Sequence, residues 1–173
     1  ADAGPRYPGR DDLLLVRLAP GSALAGVFTR SATRAAPVDD AATKLSGSAD
    51  ADAEAGAAIL VNAGNANAFT GAAGMEAVST LARATGEACE VPEARVLTAS
   101  TGVIGEALDP APLAAALPDL AARAGQAGWQ EAAHAIMTTD TFPKGAGRVV
   151  EIGGEPVSIV GIAKGSGMIA PDM

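Results

Sequence analysis

The stretch that most constrains this chain is "AAILVNAG", Ala57 to Gly64. It is an almost unbroken apolar run bounded by glycine and asparagine, the pattern of a buried strand and not of a half-exposed one. Eleven residues on, Met75, Val78, Leu81, Ala82, Thr85 and Cys89 recur at helical spacing, so "GMEAVSTLARATGEAC" predicts an amphipathic helix that ends before Pro92. A buried strand feeding a helix requires layers of both kinds packed on each other.

The remaining elements fit around that unit. Asp12 to Leu18, "DLLLVRL", and Ala25 to Ser31, "AGVFTRS", read as strands joined through the turn "APGS", and "ARVLTAS" as another. Pro37 to Gly56 is polar and small, a surface connection with a helical turn. Asp109 and Pro110 read as the N-cap and first residue of a helix that Pro118 should kink or split. A helix over Trp129 to Met137 places Trp129, Ala133 and Ile136 on one face, and the two strands of "RVVEIGGEPVSIVGIAK" pair as a hairpin across Gly153 and Gly154. Strands and helices mix without a strict β-α-β repeat, which gives a mixed α/β domain of alpha+beta layers spanning residues 1–173. With aromatics at 3% and 21 glycines, those layers are built from Ala, Val, Ile and Leu and approach closely.

Charge and motif content exclude several functions. A net charge of -8 argues against nucleic acid as a partner. No stretch approaches the roughly 18 apolar residues of a membrane span, and "ADAGPRYPGRDD" lacks a signal-peptide pattern, so the expected setting is cytoplasmic. The single cysteine, Cys89, cannot form an internal disulfide, which suits a reducing compartment. One histidine, His134, and one cysteine rule out a zinc site of His and Cys ligands, and no metal or other cofactor is expected. His134 has no nucleophile elbow beside it, and neither "KGSG" nor "TGVIG" has phosphate-loop spacing.

Three stretches carry candidate chemistry. "NAGNANAFTG", Asn62 to Gly71, sets three asparagines directly after the buried strand, where amides either fix an irregular backbone or bind a polar ligand. "TASTGVIG", Thr98 to Gly105, brings Ser100, Thr101 and Gly102 to a strand end; a hydroxyl beside a glycine N–H is one way to build an oxyanion hole, although many strand ends look alike. "MTTDTFPK", Met137 to Lys144, leaves a helix with three threonines and Asp140, a pattern that a solvated helix exit shares. Together they offer donors and hydroxyls but no general base and no obvious nucleophile, which leaves room for a missing part outside this chain.

Those three stretches, followed by "VGIAKGSGMIAPDM" and preceded by "GRDDLLLVRLAPGSALAGVFTRS", resemble the alpha chain of ornithine acetyltransferase, the bifunctional glutamate N-acetyltransferase of arginine biosynthesis. The resemblance covers nearly all 173 residues. It implies an N-terminal-nucleophile-like architecture of the ornithine acetyltransferase and aminopeptidase type, with a core shared with a beta chain cut from the same precursor. It also implies that Met173 lies beside the self-cleavage point, and that the threonine opening the beta chain is the nucleophile. Thr101 and Gly102 match the family's oxyanion pair, and Thr138 and Lys164 its substrate-contacting threonine and lysine. Ser100, Asp140, Asn62, Asn65 and Asn67 are read as supporting residues. The expected reaction moves acetyl from N2-acetyl-L-ornithine to L-glutamate, with acetyl-CoA as an alternative donor, in a heterotetramer of two alpha and two beta chains. A secondary-metabolic paralogue, a self-processing amidase or aminopeptidase, and a small-ligand binding module are the alternatives.

Overall fold

The computed structural model describes residues 1–4, 6–47 and 53–167. Three strands, β1 (Leu13–Leu18), β2 (Ala57–Asn65) and β3 (Val96–Val103), form a sheet in that order, β1 antiparallel to β2 and β2 parallel to β3. The apolar run is therefore the central strand. Four helices follow the chain as α1 (Ala36–Ser46), α2 (Gly71–Cys89), α3 (Ala111–Ala122) and α4 (Trp129–Ala135). A hairpin of β4 (Lys144–Ile152) and β5 (Glu155–Ala163) closes the described chain, and both of its turn residues, Gly153 and Gly154, have positive φ.

Side-chain alternation sorts the central sheet into two faces. Leu13 and Leu60 face Leu81 of α2 and Leu113 and Leu117 of α3 in one apolar cluster. Beside them Ala58 and Val96 pack on Ala82 and Cys89 of α2 in a second. The alanines let the helix approach the sheet closely, as the low aromatic content predicts. The other face is less covered: Ile59 and Val61 are half-buried, and Ala99 is exposed. The expectation of a strand buried on both sides holds fully for only one of them within this chain. The hairpin is more open still, with Val149, Ile152 and Ile159 each more than half exposed.

Four readings of the sequence need correcting. Residues 25–31 join no sheet: they run without regular structure, and Val27 is 77% exposed, so its β-propensity meets no surface to pack against. The polar connection after Pro37 holds a full helix, α1, and not a single turn; Pro37 opens it, Ala36 and Ala41 are buried, and Lys44 pairs with Asp40 one turn back at 2.8 Å. Pro118 does not split α3, which runs on through it to Ala122; the residue stands on the exposed side of the helix. The start of α3 lies one residue later than expected, with Asp109 Oδ1 accepting from the Ala111 N–H at 3.0 Å. On α4, the face that the spacing gives to Trp129, Ala133 and Ile136 is buried at Ala133 and Ile136, with Trp129 half exposed at the helix start.

Candidate active site

β2 and β3 reach their C-terminal ends side by side because parallel pairing puts both chain exits at the same edge. Opposite pairs run Asn62 with Ser100, Ala63 with Thr101 and Gly64 with Gly102, and the register then breaks at Asn65. The approach at the last pair is very close. Gly102 has φ +135, and a Cβ there would lie 2.3 Å from the carbonyl carbon of Gly64 and 2.6 Å from the Asn65 nitrogen. Only glycine fits that position, so the residue beside Thr101 is set by packing as well as by any chemistry.

The asparagine-rich loop is consumed in shaping this edge. Ser100 Oγ donates to Asn62 Oδ1 at 2.6 Å, and Asn62 Nδ2 donates to the Asn65 carbonyl at 3.0 Å. Asn65 Oδ1 accepts from the Asn67 N–H at 2.7 Å, while its amide nitrogen donates to the Glu106 carbonyl at 3.1 Å. Asn67, fully buried at φ 47, donates to the Gly74 carbonyl and accepts from Thr70 Oγ1 at 2.8 Å, which ties the loop to the first turn of α2. Of the two roles open to the asparagines, fixing an irregular backbone is the one whose bonds are present.

The structure brings Thr101, Thr138 and Lys164 together from three separate parts of the chain. Lys164 Nζ, just beyond β5, donates to Thr101 Oγ1 at 2.8 Å and to Thr138 Oγ1 at 2.7 Å. All three residues are half-buried, and the exposed Gly102 adjoins Thr101. An ammonium has three protons, so two go to these hydroxyls. Each hydroxyl accepts from the cation and thus keeps its own proton to donate elsewhere, in a charge-assisted chain. The arrangement is a concentration of hydrogen-bond donors. Met173 lies outside the described residues.

Asp140 is the group whose importance the sequence understated. Its side chain is fully buried and forms a 2.7 Å ion pair with Lys144. The same Oδ1 accepts from the Gly165 N–H, while Oδ2 accepts from the Thr138 N–H at 3.1 Å. Lys144 first, then these two backbone donors, hold the carboxyl well below the usual carboxylate range in spite of its burial. The four-residue spacing of Asp140 and Lys144 was visible, but such spacing signals a pair only on a helix, and this segment is not one. Arg10 was missed too. It lies 3.9 Å over the Tyr7 ring and donates to the Met137 carbonyl, holding the chain immediately before Thr138. His134 is exposed on α4, and among the described residues no group of three or more His, Cys, Asp and Glu side chains could hold a metal ion. Among the same residues no helix is long and apolar enough to cross a membrane.

The fold and its polar cluster thus define a mixed α/β chain with a donor-rich centre where two parallel strands end. The ArgJ family profile matches residues 1–173, and the chain belongs to that family. It is 54% identical over 171 residues to the arginine biosynthesis bifunctional protein ArgJ of Ruegeria pomeroyi, covering 99% of this chain and 41% of that protein. With its namesake from Rhizobium meliloti it shares 52% over 173 residues, covering 100% and 40%. The chain therefore spans about two fifths of the length of these relatives. Among solved structures, ornithine acetyltransferase complexed with ornithine from Mycobacterium tuberculosis matches with a TM-score of 0.84 at 35% identity, covering 99% of this chain and 89% of that one. ArgJ from Bacillus halodurans matches with a TM-score of 0.81 at 31% identity, covering 97% and 85%. The mixed α/β fold expected from the sequence is the fold of these structures.

Proposed function

We propose that this chain is the alpha half of an acetyltransferase that moves acetyl from N2-acetyl-L-ornithine to L-glutamate, with its nucleophile on a second chain from the same precursor. The observation that carries this reading is the Lys164 ammonium held between the Thr101 and Thr138 hydroxyls at the end of β3, in a chain of the ArgJ family. The solved relative that holds ornithine supports the substrate class.

The chemistry suits what this half provides. Attack on an acetyl carbonyl builds negative charge on its oxygen, and donors aimed at that oxygen stabilise the transition state by about 2.7 to 4 kcal/mol each. Thr101 supplies a hydroxyl proton freed by the bond from Lys164, and Gly102 a backbone N–H with no side chain to obstruct approach. Thr138 and the remaining proton of Lys164 meet the amino-acid portion of the substrate, whose carboxylate suits an ammonium. The nucleophile is the threonine opening the second chain; its α-amine, with an ordinary pKa of about 7.7 to 8.0, takes the hydroxyl proton. An amide becomes an ester on the enzyme and then an amide on glutamate, so the cycle needs no metal or ATP. Acetyl-CoA serves as an additional donor in a bifunctional form.

The second chain completes the exposed surfaces. The half-covered face of the central sheet and the apolar residues of the hairpin, Val149, Ile152 and Ile159, are where it packs. Two such pairs form the heterotetramer, in the cytoplasm.

The test is a denaturing intact-mass spectrum of the protein made from its whole coding sequence, after brief exposure to N-acetylornithine without glutamate. The expected result is a second chain that begins with threonine and carries one acetyl group, discharged when glutamate is added. Loss of the acetyl group to water at the same rate with and without glutamate would assign the protein to hydrolysis. A single uncut chain without adduct would leave a binding module.

A further inference from the structure

We propose that Asp140 is a positioning residue for Lys164, a buried latch that fixes the segment carrying the lysine to the segment carrying its hydroxyl partner Thr138. β5 ends at Ala163, and Lys164 follows outside the ladder. Thr138 lies in the irregular exit from α4. One carboxylate accepts from the Gly165 N–H, immediately after Lys164, and from the Thr138 N–H, so both ends of the bond from Lys164 to Thr138 hang on it. Lys144, at the start of β4, holds the oxygen that Gly165 shares, Oδ1, at 2.7 Å, which also binds the hairpin base to the site. Ser166 adds a bond to the Thr139 carbonyl at 2.8 Å, parallel to the first two but on an exposed side chain.

The chemical requirement is for a carboxylate and not merely a polar residue. Three donors converge on Asp140, and both oxygens accept. An asparagine offers one accepting oxygen, and its NH2 must then face a donor, either the Thr138 N–H or the pair formed by Gly165 and Lys144. Asp140→Asn therefore releases one of the two segments while keeping the volume of the side chain. A displacement of the site by about 1 Å lowers catalysis by roughly 100-fold.

This inference rests on the proposed acetyl transfer only for its kinetic arm, and the experiment separates the two. In the protein expressed from its whole coding sequence, lysines are labelled by reductive methylation in wild type and Asp140→Asn, and each site is read by peptide mass spectrometry. Labelling of Lys164 should rise roughly three- to ten-fold, as expected for loss of a hydrogen bond. Lys44, bonded to Asp40 and the Val96 carbonyl, should stay unchanged, whereas general loosening would raise both. Kinetically, Asp140→Asn should lower kcat/KM by about 10- to 100-fold in wild type and by less than about 3-fold in a Lys164→Met background. Unchanged labelling of Lys164, or equal kinetic losses in the two backgrounds, overturns the proposal. Should Asp140→Asn not fold, hydrogen exchange in the wild type decides. The Gly165 amide must be protected although it lies outside any ladder, and exchange at the rate of a free loop overturns the latch. If no acetyl transfer is found at all, labelling and exchange still answer whether Asp140 holds Lys164.

Discussion

Gly102 is where the packing of the sheet meets the proposed oxyanion site, and replacing it with alanine measures how far packing alone demands glycine there. A Cβ at Gly102 would stand 2.3 Å from the Gly64 carbonyl carbon, 2.5 Å from its oxygen and 2.6 Å from the Asn65 nitrogen, all backbone atoms of β2. None of these can rotate away as a side chain would. The φ of +135 adds conformational strain of about 1 to 3 kcal/mol, and forced overlap in a packed site about 1 to 3 more. Gly105, three residues on, is the uncrowded control: its φ is also positive, at +83, and nothing lies within 4 Å of its added Cβ. Gly105→Ala thus costs the conformational part alone, about 1 kcal/mol. The assay is thermal inactivation and unfolding of both variants of the whole protein at one scan rate, since the midpoint of an irreversible transition depends on that rate. Gly102→Ala should lose at least three times as much in midpoint temperature as Gly105→Ala. Equal shifts would refute the claim that the approach of β3 to Gly64, and not backbone conformation alone, demands glycine at the site.

Other consequences follow from the same geometry. Thr101→Val removes the hydroxyl but keeps the β-branched shape on β3; on the proposed acetyl transfer, turnover at saturating donor should fall by about 100- to 1000-fold with KM within a few-fold. Because the Asp140 carboxyl is held below its ordinary value, its contribution to stability is fully present above the unfolded carboxylate pKa of about 3.9 and is lost as pH falls towards the lower folded value. Denaturant midpoints of wild type and Asp140→Asn should therefore differ at pH 7 and draw together progressively as pH falls below about 4; a constant gap would show that the charge is not what matters. Cys89 is fully buried and burial pushes its thiol up, so iodoacetamide should label it only after denaturation.

Much of the fold is written locally. β2 follows from an apolar run, α2 from helical spacing closed by Pro92, and the hairpin from two adjacent glycines. Each is a short-range pattern with its own period or turn chemistry. Readings failed where a neighbour decided the outcome. Residues 25–31 had strand composition but no surface to join, α1 is held by contacts with β3 and α2 that its polar sequence does not reveal, and α3 runs on through Pro118, which stands on its exposed side.

The same division holds at the site. The sequence by itself named the members of the polar cluster: Thr101 and Gly102 in one motif, Thr138 in another with Asp140 as a supporting residue, Lys164 in a third. Only the tertiary structure decided that Lys164 bonds to hydroxyls 63 and 26 residues away, and that Asp140 joins the two segments between which it sits. Periodicity and turn chemistry act over a few residues, so they are legible in one dimension. A hydrogen bond across the chain depends on parallel register, close glycine packing and the return of a hairpin, and these exist only once the layers have assembled.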